Sequence, residues 1–291
     1  MFKDAAVNVL ERNKNKGRNI TEYALVMETL SKITDQELQY DLLSNLEDGY
    51  AEPEDLDTVD PRAGEIEDMF DLEDEDNRRH LGVPTTRNRW ANGIVRYKVV
   101  YEKNYSGYWM FVRRALPAMV ELESITNLEF EYAGAVWTSD DAQRDGTVYL
   151  RVQSSGCSAT IGAPTSSSSR PHYINIGPNC SHGNILHELI HTAGMHHQQV
   201  AEYRDDYVTV NYQNIEARGV SNFDKKYNHG LEFVYDYGSI MHYGEYGFSK
   251  NGGKTIDCRG HPCGQREEIS FWDMWEIMYY YYGYYFVNGN L

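Results

Sequence analysis

The sequence predicts an α+β domain at residues 81–291, preceded by an acidic segment at residues 1–80. Three observations support this division: the charge changes near residue 80, strand and helix patterns alternate after residue 86, and residues 183–193 form a histidine-rich helical pattern. The chain has 291 residues and a formal net charge of -17. This length could hold one large domain or two modest ones.

The charge is distributed unevenly along the chain. Residues 1–79 carry 22 acidic and 9 basic side chains, whereas residues 80–291 carry 22 acidic and 18 basic ones. Residues 35–76 contain a single base, Arg62, and such a run of like charge repels itself and rarely packs alone. The acidic balance argues against a nucleic-acid partner, because phosphate binding needs clustered Lys and Arg.

The acidic tract ends at a basic step that includes Arg78 and Arg79. Proteases of trypsin-like specificity cut at exposed basic pairs, so we predict a processing site here, with an ordinary surface loop as the alternative. The first product residue is expected near Leu81.

The later part of the chain has the pattern of a packed domain. Strands are predicted at residues 94–100, 147–152 and 172–176 because apolar residues alternate there. Helices are predicted at residues 108–125, with a kink at Pro117, and at residues 183–193 and 271–282. No run of about 18 apolar residues occurs, so no transmembrane helix is expected.

The cysteine content permits two opposite interpretations. The four cysteines are Cys157, Cys180, Cys258 and Cys263. An even number permits two disulfides in an oxidising compartment, and four free thiols in a cytosolic protein are the alternative. Residues 1–6 contain no apolar signal segment, which leaves the export route open. Glycosylation sequons occur at Asn19, Asn104 and Asn179.

One segment carries the chemistry. His187 and His191 are four residues apart, so on a helix both imidazoles project from one face and can bind one metal ion. Glu188 adjoins the first histidine and can reach a water on that metal. Gly194 can end the helix in a left-handed conformation, after which the chain can return His197 as a third ligand.

Three imidazole ligands leave a fourth position for water, as a catalytic zinc site requires and a structural one does not. We therefore predict one Zn²⁺ on His187, His191 and His197, with Glu188 as general base. His182 and His196 are interpreted as non-ligands because the spacing selects His197. The histidine pattern is the metzincin signature, which also demands a downstream Met-turn. Met241, in Ser239-Ile240-Met241-His242-Tyr243, supplies it as an apolar floor below the metal.

Residues from about 81 to 287 resemble the catalytic domain of the astacin family of zinc endopeptidases. Beyond the histidine motif, the resemblance rests on several short segments. They are Arg89-Trp90, residues 203–208, 211–215, 221–224, 237–244 and 264–266, and Ile269-Ser270 with Asp273. It implies two lobes flanking an active-site cleft, hydrolysis of internal peptide bonds by a promoted water, and protein or peptide substrates. It also implies that Tyr243 is an additional zinc ligand that moves to stabilise the oxyanion.

The resemblance further implies secretion and a Cys157–Cys180 disulfide. The other family disulfide is missing, since Asn127 stands where its first cysteine is expected. Cys258 and Cys263 are close enough in sequence for a local loop disulfide. Arg266 resembles a position near the primed-side substrate pocket, which favours acidic residues after the cleaved bond.

The resemblance implies a proenzyme that another protease activates by cleavage near residue 80. Astacin proenzymes cap zinc with an aspartate, and the imperfect candidates here are Glu65, Asp71 and Glu73. Gln198 occupies a position where the family usually has Glu, which meets the buried mature N-terminus. A neutral amide accepts a hydrogen bond but offers no full charge to an ammonium group.

Three other interpretations remain open at this point. The chain could belong to another metzincin branch, such as the serralysin-like enzymes, which also carry Tyr after the Met-turn. It could be a catalytically silent binding protein that keeps the fold. It could also persist as a latent proenzyme whose acidic segment acts as an inhibitor. The sequence does not indicate the oligomeric state or the physiological substrate.

Overall fold

The computed structural model describes residues 89–100, 111–136, 138–139, 142–153, 155–165, 168–226 and 235–287. The predicted propeptide at residues 1–80 lies outside these ranges, with Arg78, Arg79 and the candidate zinc-capping residues Glu65, Asp71 and Glu73. Their roles therefore stay predictions. Within the described ranges, none of the helices combines the length and the apolar character needed to cross a membrane.

A five-stranded sheet forms the scaffold of the first half of the described chain. Its strands are β1 (Ile94–Val100), β2 (Glu129–Val136), β3 (Val148–Val152), β4 (Cys157–Ala159) and β5 (His172–Ile176). They lie in the order β2-β1-β3-β5-β4, with β4 antiparallel to β5 and the other neighbours parallel. The predictions of β1, β3 and β5 are confirmed to within one residue.

The sequence prediction missed β2 and β4. The start of β2, Glu129-Phe130-Glu131-Tyr132, does alternate charged and aromatic residues, which is a strand signal. β2 lies at the sheet edge and contacts β1 through the Tyr132 ring, 5.7 Å from the Tyr97 ring. β4 has three residues, too few for a periodic pattern to stand out.

Three α-helices are described, and each differs slightly from its prediction. Helix α1 (Leu116–Ile125) follows a π-helical turn at Phe111–Ala115. Pro117 lies in the first turn of α1, just after this junction. A proline is tolerated there because the N–H groups of the first turn have no acceptor within the helix. Helix α2 (His182–Thr192) matches its prediction to within one residue, and α3 (Phe271–Val287) extends beyond residue 282.

The described residues pack into two apolar cores. The first core joins the sheet to α1 and α2 and includes Met241, Ile277 and Tyr281 from the last part of the chain. The second core lies entirely after His197 and includes Phe223, Tyr243 and other residues between Ala201 and Cys258. The presence of two separate cores agrees with the predicted two-lobed α+β fold.

Both predicted disulfides form. Cys157 begins β4 and Cys180 lies just before α2, with a Cα–Cα distance of 6.0 Å. This bond ties the sheet edge to the start of the histidine-bearing helix. Two short strands, β6 (Thr209–Val210) and β7 (Ile256–Asp257), form a separate antiparallel sheet. Cys258 follows β7 directly and pairs with Cys263 across a short loop.

Helix α3 buries two acidic side chains. Asp273 is 3% exposed and Glu276 is 9% exposed. The Oε1 atom of Glu276 has no hydrogen-bond partner among the described residues. Burial, together with the Asp273 and Asp236 carboxylates, raises the pKa of Glu276 to about 8. Glu276 is therefore protonated in the folded protein at neutral pH.

This burial predicts a pH-dependent stability. An unfolded chain releases the Glu276 proton near its ordinary pKa of 4.5, well below the folded value of about 8, so folded-state stability is lost as the pH rises between these values. Glu276→Gln removes this dependence, so the variant should unfold at higher urea concentration than the parent protein at pH 8. The gain is on the order of a few kcal/mol and should vanish as the pH falls towards about 4.

Urea titrations at intervals from about pH 4 to about pH 8 would measure this difference. Glu267→Gln is the matched control, because it makes the same substitution at an exposed glutamate just before α3. A gain for Glu276→Gln that stays constant across this pH range would contradict the assignment of a buried, protonated carboxyl group.

Candidate active site

Helix α2 positions the first two histidines. Its N-terminus is capped by Ser181, whose side chain accepts a hydrogen bond from the Asn184 backbone N–H. Gly183, in the first turn, allows the backbone of Arg266 to pass close by, since an added Cβ would lie 1.8 Å from the Arg266 carbonyl oxygen. His187 and His191 lie one turn apart and are 0% and 2% exposed.

A glycine turn brings the third histidine back to the helix. Gly194 has a φ of 108°, which an L side chain rarely adopts, and an added Cβ would also lie 3.2 Å from the Tyr280 ring. The chain reverses there and returns His197, which is 2% exposed. Among the described residues, the ligand atoms of His187, His191 and His197 lie within 4.8 Å of one another.

Backbone carbonyls determine which nitrogen of each helix histidine faces the site. His187 Nδ1 lies 2.8 Å from the Ile240 carbonyl oxygen, and His191 Nδ1 lies 2.7 Å from the Met195 carbonyl oxygen. A carbonyl oxygen only accepts hydrogen bonds, so both Nδ1 atoms carry the proton. The Nε2 atoms of these histidines therefore present lone pairs to the centre of the site.

The three Nε2 atoms converge in a way that fits a metal cation. The Nε2 atom of His197 lies 3.1 Å from that of His187 and 3.0 Å from that of His191. One hydrogen on His197 could serve only one of these contacts well, and the remaining lone pairs would repel each other. A tetrahedral zinc ion with three imidazole ligands sets such nitrogens about 3.3 Å apart. The donor set and its spacing therefore fit Zn²⁺.

The predicted Met-turn lies against the histidines and links the two cores. Met241 is 3% exposed and packs in the first core, whereas Tyr243 is 2% exposed and packs in the second. The Met241 carbonyl oxygen accepts a hydrogen bond from the Gln198 backbone N–H at 2.9 Å. The Tyr243 ring lies 4.5 Å from the His197 ring, which brings the predicted oxyanion residue to the third histidine.

Glu188 and Arg266 are the other predicted site residues within the described ranges. Glu188 follows His187 on α2 and is 1% exposed, so its carboxylate is enclosed in the protein. Arg266 Nη1 donates to the carbonyl oxygens of His242 and Gln265 at 2.9 and 2.8 Å. Arg266 thus has a supporting contact with the Met-turn region in addition to its predicted place at a substrate pocket.

Two histidines interpreted as non-ligands lie outside the cluster. His182 Nε2 contacts the Glu121 carboxylate at 2.6 Å at a half-exposed position, and His196 is not part of any metal-binding group among the described residues. A further group of potential ligands, His242 with Cys258 and Cys263, also lies within 4.8 Å. Its sulfur atoms form the disulfide, so they are not thiolate ligands.

Both nitrogens of His242 have hydrogen-bond partners. Nδ1 donates to the Tyr243 carbonyl oxygen at 2.6 Å, and Nε2 accepts from the Tyr235 hydroxyl at 2.7 Å. Burial lowers the pKa of His242 to about 4, so the ring is neutral. With the Cys258–Cys263 disulfide formed, His242 is therefore a buried structural residue that hydrogen-bonds to Tyr235 and to the Tyr243 backbone.

Sequence reasoning missed several supporting residues. Gln199 Oε1 accepts from the Tyr243 backbone N–H at 3.1 Å. Two donors bind carbonyl oxygens at the end of α2. Trp90 Nε1 donates to the Thr192 oxygen at 2.7 Å, and the Tyr281 hydroxyl donates to the Ala193 oxygen at 2.6 Å. Asp273, which like Trp90 was noted only as part of a motif, binds the Met-turn backbone. The partners in these contacts are 33 to 102 residues apart, so no local pattern connects them.

Comparisons with known proteins agree with this geometry. The chain is 34% identical over 231 residues to protein SpAN of Strongylocentrotus purpuratus, covering 76% of this chain and 35% of SpAN. It is 30% identical over 216 residues to the low choriolytic enzyme of Oryzias latipes, covering 68% of this chain and 74% of that protein. The chain spans about a third of the length of SpAN and of several other curated relatives.

A solved structure shares the fold. High choriolytic enzyme 1 of Oryzias latipes, described as a hatching enzyme zinc-protease, matches with a TM-score of 0.54 and 28% identity. The match covers 70% of this chain and 99% of that chain. Residues 82–282, more than half of the sequence, match the family model of the astacin peptidases. The chain therefore belongs to the astacin family of peptidases.

Proposed function

We propose that this chain is a zinc-dependent endopeptidase that hydrolyses internal peptide bonds of protein or peptide substrates. The convergence of three Nε2 atoms on one point is the observation that carries the proposal. Membership of a peptidase family supports it, as does the zinc-protease description of a structural relative. The same membership does not favour a serralysin-like enzyme or a silent binding protein.

In this proposal His187, His191 and His197 hold one Zn²⁺. Zinc would supply Lewis-acid chemistry and lower the pKa of a bound water towards neutrality. Glu188 accepts the proton of the attacking water and later delivers it to the leaving amine. The Tyr243 hydroxyl donates a hydrogen bond to the oxyanion of the tetrahedral intermediate. Met241 provides an apolar floor beneath the histidines.

The proposal extends to activation and specificity. Cleavage at Arg78 or Arg79 by a second protease would release the acidic propeptide, which carries most of the net negative charge of the chain. Before cleavage, a carboxylate from Glu65, Asp71 or Glu73 would occupy the open position on zinc. Arg266 would favour acidic substrate residues after the cleaved bond. Two disulfides support an extracellular, oxidising location.

Hydrolysis of a quenched peptide library tests this function directly. The full chain would be assayed before and after limited trypsin treatment, each with and without a zinc chelator. We expect cleavage that appears after processing near residue 80 and disappears with the chelator. No cleavage by a processed, zinc-loaded chain would overturn the endopeptidase proposal and favour a silent binding protein. The cleaved bonds would also show whether acidic residues follow them.

Replacing Glu188 by Ala tests the general base. Because Glu188 is not a ligand, the variant should retain one zinc per chain by elemental analysis while kcat falls by several orders of magnitude, on the order of 10⁴-fold or more. Glu202→Ala, at an exposed glutamate five residues after His197, is the matched control and should keep its activity. Retained peptide cleavage in Glu188→Ala would contradict the base assignment.

Replacing Tyr243 by Phe tests the oxyanion contact. The ring packs 5.7 Å from Phe223 and 5.9 Å from Phe248, so removing only the hydroxyl should leave the second core folded. Loss of one oxyanion donor costs on the order of 10²–10³-fold in kcat, and KM should change little. Tyr235→Phe removes a hydroxyl that contacts His242 and serves as the control. An unchanged kcat in Tyr243→Phe would remove this residue from the mechanism.

A further inference from the structure

Asp273 makes contacts that suggest a role beyond packing. Its Oδ1 accepts a hydrogen bond from the Ser239 hydroxyl at 2.5 Å, and its Oδ2 accepts from the Ile240 backbone N–H at 2.9 Å. Oδ2 also accepts from the Ser270 backbone N–H at 3.0 Å. Both oxygens of this buried carboxylate are thus engaged, and two of the three donors belong to the Met-turn.

The contacts continue from the Met-turn to the first histidine. The Ile240 peptide N–H is bound by Asp273, while the Ile240 carbonyl oxygen accepts the Nδ1 hydrogen of His187 at 2.8 Å. The Ser239 hydroxyl also accepts from the Met241 N–H at 2.9 Å, so one side chain connects Asp273 to the next peptide. Asp273 therefore fixes the segment that orients the His187 ring.

Burial of the Asp273 carboxylate carries a desolvation cost in the free energy of folding. Asp273 is 3% exposed, and burial raises its pKa although its hydrogen bonds act in the opposite direction. Asp236 and Glu276 lie near it and add like charge when ionised. The carboxylate serves three donors that an apolar side chain would leave unpaired, so its role is to accept hydrogen bonds and not only to fill space.

We propose that Asp273 is a positioning residue for the metal site, acting through the Ser239–Ile240 backbone on His187. This inference rests on the proposed zinc function. Outer partners that orient a metal-binding histidine typically account for about 10–100-fold in metal affinity. Here the orientation is relayed by the Ile240 carbonyl oxygen, and the carboxylate that binds the N–H of the same residue lies on a different element, α3.

Zinc affinity of Asp273→Asn tests the proposal. The amide keeps the size of the side chain but has a single acceptor oxygen, so it cannot accept hydrogen bonds both from the Ser239 hydroxyl and from the Ile240 and Ser270 N–H groups. We expect the zinc dissociation constant, measured by competition with a chromogenic chelator, to rise by about 10–100-fold relative to the parent chain. The visible spectrum of the cobalt-substituted protein should also shift, since it reports ligand geometry at the metal.

Asp145→Asn is the matched control. Asp145 also accepts several hydrogen bonds, from the Thr147 N–H and hydroxyl and from the Tyr149 hydroxyl, but it lies on the loop before β3. Its replacement should leave zinc affinity and the cobalt spectrum unchanged. If Asp273→Asn lowers only thermal stability, with the zinc dissociation constant within about twofold of the parent value, the positioning role is wrong.

Ser239→Ala keeps the test decisive if Asp273→Asn does not fold. This variant removes the hydroxyl between Asp273 and Met241 and retains the carboxylate and its contact with Ile240. We expect a smaller increase in the zinc dissociation constant, about 3–10-fold, below the range for complete loss of the partner. An unchanged constant would overturn the proposal. Failure of the parent chain to bind zinc would instead reject the proposed function.

Discussion

The hydrogen bonds from the Nδ1 atoms of His187 and His191 to backbone carbonyls are the constraint on which the site depends. They fix the tautomer of each ring, and this fixes which lone pairs face the centre. The Met195 carbonyl follows the Gly194 turn, whereas the Ile240 carbonyl comes from a segment 53 residues after His187. The local helix and the distant Met-turn must therefore both form before the histidines can act together.

This dependence explains why the Met-turn lies where the two cores meet. Met241 packs with the sheet and α2, while Tyr243, two residues later, packs with Phe223 in the second core. The same turn supplies the carbonyl that orients His187 and the aromatic ring that contacts His197. A movement of one core relative to the other would change both contacts, so catalytic geometry and the packing of the two cores are linked.

The sequence predicted the parts of the site that short-range geometry determines. The spacing of His187, His191, Gly194 and His197 depends on one helix and one turn, and their convergence could be inferred from residue periodicity alone. The contact between Asp273 and Ile240 joins residues 33 apart through the packing of α3, and no periodic pattern encodes it. The three-residue β4 was missed because it is too short to show a periodic pattern, and the eight-residue β2 was missed although its first residues alternate.

The two buried acids of α3, Asp273 and Glu276, lower the stability of the fold through desolvation unless hydrogen bonds or protonation compensate for it. Asp273 is compensated by three donors, one of them a side chain and two of them backbone N–H groups at Ile240 and Ser270. Glu276, one turn later, has an oxygen without such a donor among the described residues and becomes neutral instead. Protonation of Glu276 removes a negative charge beside Asp273, whose side chain is the acceptor that the Met-turn requires. A neutral Glu276 thus lowers the electrostatic cost of the contact between Asp273 and the backbone on which the first histidine depends.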